Sequence, residues 1–353
     1  MMVAAVPRGR PRGGGLSRAR AAGPRGVPGR VPCGGPGPDP RGRRGPAAAA
    51  AGPAATAEAQ VHPSACVAAG AELGAGAVVG PFCIVGEGVT VGAGCRLHGH
   101  NVVLGDTALG AGTELLHGAV VGSEDPGAVV VGANNRIGHH AVVGVRCQDL
   151  KYAAGTECHL SVGDGNDIRE HASIHRSSMA SEWTRVGNGN LFMGATHAAH
   201  DVQVGDGCIV ANGALLAGHV VLGDRVVVGG AAAVQQRCHL GSYCHVAGGA
   251  MVEADVPPFL RAQGDRARIR GVNEILLRRC GFTEDEIAAV KDAYKALWLS
   301  RDAPKDTRAA AAALRESGRF AGRVRAQELL EAICESFAPE EGAAFRTGGI
   351  IPR

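Results

Sequence analysis

Two histidines and an aspartate stand close together in the stretch Asn190–Asp201, NLFMGATHAAHD, at His197, His200 and Asp201. A neutral imidazole takes a proton from a hydroxyl, and a neighbouring carboxylate supports the cation that forms. Histidines also ligate zinc, and His171, His175, His197 and His200 make a possible ligand set. A third reading gives these side chains no chemistry and treats them as the solvated face of a repeat.

The repeat that holds them is plain. From Val61 a large aliphatic residue returns every sixth position: Val61, Val67, Leu73, Val79, Val85, Val91, Leu97, Val103, Leu109, Leu115 and Val121. The phase breaks in a loop carrying Ser123–Pro126, resumes at Val131, Ile137 and Val143, and breaks again across Arg146–Leu160. It returns at Val162, Ile168 and Ile174 and runs to Val252, with Ala180, Phe192 and Ala198 as irregular members. Aliphatic–Gly pairs such as Leu73-Gly74 and Val91-Gly92 mark the repeats. A period of six with these pairs is the signature of a hexapeptide β-helix, in which three short strands close a triangular coil of about 18 residues. The aliphatic side chain points inward, and each coil touches only its neighbours. Such a core is long and thin, which suits an aromatic content of 3 %.

Composition sorts the rest. Residues 1–57 contain ten Arg, no Lys and one acid, Asp39, and are rich in Gly, Pro and Ala. An Arg-rich, acid-poor N-terminus of this kind reads as an organelle transit peptide or disordered leader, with the mitochondrion preferred and the plastid second. The whole chain carries +3 and this stretch +9, so residues 58–353 carry −6. That balance argues against nucleic acid as a partner. No apolar run is long enough for a transmembrane segment. None of the eleven Cys forms a C-x-x-C pair. Cys83, Cys95, Cys208, Cys238 and Cys244 each fall four residues after an aliphatic repeat position, which reads as small core filler rather than disulfides.

The repeat stops at Asp255-Val256-Pro257-Pro258, where two residues without N–H groups are expected to cap the stack. Beyond it the pattern turns helical. A short helix is expected over Gly271–Arg279. Thr283-Glu284-Asp285-Glu286 forms a capping box before a helix with Ile287, Val290, Tyr294, Leu297 and Trp298 at helical spacing. Two further helices are expected at 304–316 and 322–337. The chain thus divides into a leader (1–57), a hexapeptide-repeat β-helix (58–258) and a C-terminal helical domain (259–353).

Several segments in this order are specific: Gln148-Asp149-Leu150-Lys151-Tyr152, Ala172-Ser173-Ile174-His175-Arg176, Thr196–Asp201, Leu216-Ala217-Gly218-His219-Val220, Asp255–Pro258, Ala262-Gln263-Gly264 and Gly271-Val272-Asn273. With them the chain resembles the UDP-N-acetylglucosamine O-acyltransferase family, which opens lipid A synthesis. The resemblance covers roughly residues 61–337. It implies an all-β parallel solenoid, a left-handed β-helix, followed by a C-terminal α-helical domain. It also implies transfer of a 3-hydroxyacyl group from acyl carrier protein to the 3-hydroxyl of UDP-N-acetylglucosamine. Such a transfer needs no metal or redox cofactor, and in this family it takes place in clefts of a homotrimer.

By the same resemblance His200 is the general base, Asp201 supports it, and Gly218 marks the oxyanion position. Asp149, His197 and His219 match positions that hold the sugar. Lys151 and His175 match positions near phosphates or the carrier thioester. Gln236, Asn273 and Arg279 fall at further substrate-binding positions, and Gly248 at the position that sets acyl length, where a glycine leaves the groove open. Three residues depart from the family pattern. Gln235 stands where a His is usual, Glu274-Ile275 replace an apolar residue followed by Glu, and Cys280 replaces an Arg. A basic cluster of Arg261, Arg266, Arg268, Arg270, Arg278 and Arg279 at the repeat-to-helix junction suits acidic carrier protein or UDP phosphates.

Three other functions fit parts of the pattern: a γ-carbonic-anhydrase-like zinc protein, a non-catalytic solenoid scaffold, and a sister acyltransferase acting on an already acylated sugar nucleotide. The last would carry an extra N-terminal domain that residues 1–57 are unsuited to form.

Overall fold

The computed structural model describes residues 58–300 and 306–336. The leader expected at 1–57 and the chain beyond 336 lie outside the described residues. From Gln60 to Val252 the chain winds as a parallel solenoid of three faces that stack ten, ten and nine strands, and two later strands, Leu260–Gln263 and Arg268–Val272, bring the first face to twelve. Most strands are two residues long, the second being the aliphatic repeat residue and buried. The first coil is the exception, with Val61 44 % exposed and Val67 and Leu73 half-buried, because that coil has a neighbour on one side only among the described residues.

Register explains how the repeat survives its interruptions. In the simple coils Val61 stacks on Val79 and Val79 on Leu97. Further along the same column Leu115 stacks on Ile137, Ile137 on Ile168, Ile168 on Phe192 and Phe192 on Val210. The extra residues bulge outward as loops while the inward column stays in phase. A slip of one residue would turn every inward side chain to solvent. Phe192 and Ala198 are therefore full members of the core, 0 % and 1 % exposed. Ala180 is not. It lies exposed in a turn, and that face is supplied by the strand Trp183–Val186, with Thr184 and Val186 buried.

The position two residues before each aliphatic carries small buried side chains. They include Cys83, Cys95, Cys208, Cys238 and Cys244, all buried free thiols. Near the middle this row becomes polar. Asn135 Oδ1 accepts from Asn166 N and Nδ2, Asn166 Oδ1 accepts from Asn190 N and Nδ2, and Asn190 Oδ1 accepts from Cys208 N. Each side-chain oxygen accepts the next coil's backbone N–H, so these three buried donors are not stranded.

The prolines end the stack on one side only. Val256 still bridges to Leu240, and Leu260–Gln263 adds to the twelve-stranded face beside His245-Val246. Arg268–Val272 then pairs antiparallel with Leu260–Gln263. The expected short helix accordingly starts later, at α1 (Glu274–Arg279), because Gly271 and Val272 are spent in the strand. The helix α2 (Glu284–Trp298) opens on the expected reciprocal capping box between Thr283 and Glu286. It buries Ile287, Val290, Tyr294 and Leu297. α3 (Thr307–Glu316) and α4 (Val324–Ser336) complete the helical part, with Leu329, Leu330 and Ile333 buried. No helix among the described residues is long and apolar enough to cross a membrane.

Candidate active site

His200 and Asp201 close one corner of the solenoid after the strand His197-Ala198. Asp201 takes φ +60° there, and His219 takes φ +60° at the equivalent corner of the next coil. Asp and His enter this left-handed region more readily than most residues with a Cβ. The stacked corners bring the two imidazoles together edge to face, ring centroids 5.1 Å apart. His200 and Asp201 are 6 % and 9 % exposed.

The carboxylate of Asp201 is the hub. Its Oδ2 lies 2.7 Å from His200 Nδ1 and 3.5 Å from His219 Nε2. Ser178 donates its hydroxyl to Oδ2 at 2.6 Å and its backbone N–H to Oδ1 at 3.1 Å. Asp201 N donates to Thr184 Oγ1 at 2.8 Å. Burial pushes the Asp201 carboxyl up, but the hydrogen bonds from His200 and Ser178 outweigh it and hold the group below its ordinary value. An ionised Asp201 fixes the proton of His200 on Nδ1 and leaves Nε2 as the base, facing Asp149 Oδ2 at 3.8 Å. Burial lowers the His219 pKa, partly opposed by Asp201.

A cleft of about 830 Å³ spreads in front of this pair. The loop of the second interruption supplies Asp149 and Lys151, and neighbouring coils supply His175, His197, Gly218 and Gln236. Six of the anticipated site residues thus line the same cleft as His200. Lys151 N donates to Asp149 Oδ1 at 2.8 Å, which shapes the loop tip. His197 Nδ1 pairs with Ser173 Oγ at 2.8 Å, and its ring meets that of His175 at 4.7 Å. Burial, aided by the positive potential of His197 and His200, pushes His175 down to about 4. Its Nδ1 is buried without a hydrogen-bond partner in the described structure. Past the polar end, the outward row Leu215, Ala233 and Met251 makes an apolar wall on successive coils.

Gly218 sits against the catalytic-looking imidazole. A Cβ there would fall 2.4 Å from His200 Cε1 and 2.6 Å from Nε2. Its N–H makes no hydrogen bond among the described residues, so a donor is unspent beside the base.

Asn273 and Arg279 are not in this cleft. They line a second one of about 540 Å³, with His245, Arg261, Ile275 and Arg278. Asn273 is buried and donates to the Tyr243 carbonyl at 2.9 Å. Gly248 lines neither cleft of the single chain, and a Cβ there would come within 3.2 Å of the Gly230 carbonyl. The four histidines weighed as zinc ligands do not gather within one chain either, and His171 stacks on His140 at 5.5 Å. The close group among the described residues is His200, Asp201 and His219, with ligand-type atoms all within 4.8 Å. That spacing would admit a metal ion, but Oδ2 is already engaged by His200 and Ser178, and the cluster is built as a hydrogen-bonded one.

Comparison with known proteins decides the family. Residues 255–341 match the family model described as UDP-N-acetylglucosamine O-acyltransferase, domain 2. The acyl-[acyl-carrier-protein]–UDP-N-acetylglucosamine O-acyltransferase of Myxococcus xanthus is 41 % identical over 211 residues, covering 60 % of this chain and 80 % of that one. The chain belongs to the UDP-N-acetylglucosamine O-acyltransferase family.

A probable mitochondrial member from Arabidopsis thaliana is 49 % identical over 200 residues, which span 57 % of this chain and 60 % of that relative. The solved Arabidopsis UDP-N-acetylglucosamine acyltransferase superposes with a TM-score of 0.77 at 42 % identity, covering 83 % of this chain and all of that one. The solenoid is the left-handed parallel β-helix of that family.

Within the family, the departures foreseen from sequence fall at particular places. Gln235 lines the main cleft beside Gln236. Glu274 is drawn away to Lys291 at 3.0 Å and Arg278 at 3.2 Å, while Ile275 stands 65 % exposed in the second cleft. Ser178 and Thr184, which mount Asp201, were not singled out by sequence. Both lie in the irregular stretch where the repeat skips a beat, and only the fold brings them to the corner.

Proposed function

We propose that the chain transfers a 3-hydroxyacyl group from acyl carrier protein to the 3-hydroxyl of UDP-N-acetylglucosamine, the first step of lipid A synthesis. The observation that carries this reading is the dyad itself: His200 Nδ1 bound to an ionised Asp201, with Nε2 turned to a cleft that combines polar groups and an apolar wall. The names of the Myxococcus and Arabidopsis relatives supply the same acyl donor and sugar nucleotide.

The sugar hydroxyl gives its proton to His200 Nε2 as its oxygen attacks the thioester carbonyl. Asp201 stabilises the resulting imidazolium. The Gly218 N–H receives the negative charge that develops on the carbonyl oxygen. Collapse expels the carrier thiolate, which takes the proton back. Asp149, His197 and His219 hold the sugar, and Lys151 and His175 face the phosphates or the carrier arm. Gln236, Asn273 and Arg279 complete substrate binding, the last two from the second cleft. The acyl tail lies along Leu215, Ala233 and Met251, and Gly248 leaves room for a longer chain.

The working form is a homotrimer with clefts completed by neighbouring subunits. The basic cluster that includes Arg261 and Arg279 meets the acidic carrier. The protein works in the mitochondrion, a reading supported by the Arg-rich leader and by the mitochondrial Arabidopsis relative. The domain organisation is a leader to residue 57, the acyltransferase solenoid to 258, and a C-terminal part that opens on the strands Leu260–Gln263 and Arg268–Val272 before its helices.

The test is to incubate the purified chain with UDP-N-acetylglucosamine and a panel of 3-hydroxyacyl carrier proteins of increasing length. Formation of the 3-O-acyl sugar nucleotide is expected. Absence of product at every acyl length, from a folded protein, would reject the reading.

A further inference from the structure

The carboxylate of Asp201 is clamped by a group from outside its own coil. Ser178 lies in the turn between the strands Ser173–His175 and Trp183–Val186. Its hydroxyl meets Oδ2 at 2.6 Å, and its backbone N–H reaches Oδ1 at 3.1 Å and Oδ2 at 3.3 Å. Oδ2 is the same oxygen that His200 Nδ1 approaches at 2.7 Å. The turn is itself anchored. The adjoining Ser177 hydroxyl donates to the Glu182 carbonyl, and Arg176 is 2 % exposed with its guanidinium donating to the carbonyls of Asp125, Pro126 and Gly127.

We infer that Ser178 is a positioning residue for the acyl transfer: its hydroxyl and amide set the rotation and charge of the Asp201 carboxylate, and through it the orientation and tautomer of His200. The inference rests on the function proposed above.

The carboxylate has few other ways to be held. A side chain fixed only by His200 would turn about χ2, because terminal carboxylate torsions are broad. Binding from Ser178 to both oxygens removes that freedom. His219 reaches Oδ2 at 3.5 Å, too long to take over the role. Hydrogen bonds of this kind to an ionised acceptor are the strong ones. The charged and titratable groups around Asp201 are His200 on its own corner, His219 on the next coil, and Asp149, Cys147 and Cys158 on the second-interruption loop. Arg237 acts on His219 from the coil beyond. None of these bonds Oδ1.

Loss of the Ser178 hydroxyl leaves more unshared negative charge on Oδ2. That charge favours the imidazolium, so a base that must be neutral is available only at higher pH. The backbone N–H remains, so the effect is partial.

The experiment compares the full wild-type chain with Ser178→Ala and Ser178→Thr. The expected result for Ser178→Ala is a fall in kcat of about tenfold, KM for the sugar nucleotide within about twofold, and an acid limb of the kcat/KM profile moved to higher pH. Ser178→Thr, which keeps the hydroxyl, restores both kcat and the limb. A wild-type kcat and profile in Ser178→Ala would overturn the inference. So would a loss that tracks the folded fraction, with the limb unmoved and Ser178→Thr equally impaired. Carbethoxylation of His200, followed across pH by peptide mapping, reads the same dyad without substrate. There the half-reaction point is expected to rise in Ser178→Ala, and an unchanged point would overturn the inference even if the wild type transfers no acyl group.

Discussion

Gly218 presents a bare Cα to the face of His200, where a methyl group would overlap the ring at 2.4 Å from Cε1. Its backbone is not left-handed, so the need for glycine is one of space. Gly218→Ala is expected to displace the imidazole from its bond to Asp201 and to crowd the unspent N–H. A shift of about 1 Å at a reacting group costs on the order of 100-fold in rate. The check is kcat for acyl transfer alongside Tm, with kcat falling by about that factor and Tm changing little.

His175 links the cleft to stability. Its ordinary value is 6.5 and burial lowers it to about 4 in the folded chain. Between those limits the unfolded chain binds a proton that the folded chain refuses, so stability falls as the pH is lowered from about 6.5 to about 4. The linked free energy is about 3 kcal/mol at most. Denaturant unfolding across this range is expected to show the slope, and His175→Gln to flatten it.

Asp201 is shifted down as well, against the direction that burial alone gives an acid. Held below its ordinary value of 3.8 by His200 and Ser178, it contributes stability above that pH and loses it only as pH falls through the depressed folded value. Asp201→Asn is therefore expected to reduce stability at pH 7 and to remove part of the acid-induced loss. Unfolding free energies at pH 7 and below pH 4 measure both effects.

Arg176 is among the largest fully buried side chains and holds the first-interruption loop by its carbonyls. Arg176→Met would take the guanidinium donors from these half-exposed loop carbonyls, of which Pro126 keeps the Cys158 N–H, at about 1 kcal/mol per bond lost. A lower Tm is expected. The turn carrying Ser178 adjoins it, so activity should fall as well, measured on the protein that remains folded.

Much of this was readable in advance because a solenoid makes the same demand at every coil. Val79, Leu97, Leu115, Ile137, Ile168 and Val210 meet that demand with an aliphatic side chain, and Phe192 fills the same column although its type breaks the pattern. The capping box at Thr283 is equally local. What escaped was non-local. Arg176 is bonded to carbonyls 49–51 residues earlier, and Ser178 to an acid 23 residues later, contacts that no period announces. Ala180 matched the six-residue count yet lies in a turn, because the strand that begins three residues on, at Trp183, supplies the rung. The prolines ended the obvious repeat, but Leu260–Gln263 has free N–H groups and carries one face further. The site's co-linear segments pointed to His200, Asp201 and Gly218, whereas Asn273 and Arg279 proved to belong to a separate cleft of the single chain.

The most direct test sets the wild-type chain beside His200→Ala in acyl transfer from 3-hydroxyacyl carrier protein to UDP-N-acetylglucosamine. With His200 as general base, the variant is expected to lose about 10²–10⁴-fold in kcat while staying folded and keeping its KM for the sugar nucleotide. Turnover by His200→Ala within a few-fold of wild type would contradict the account.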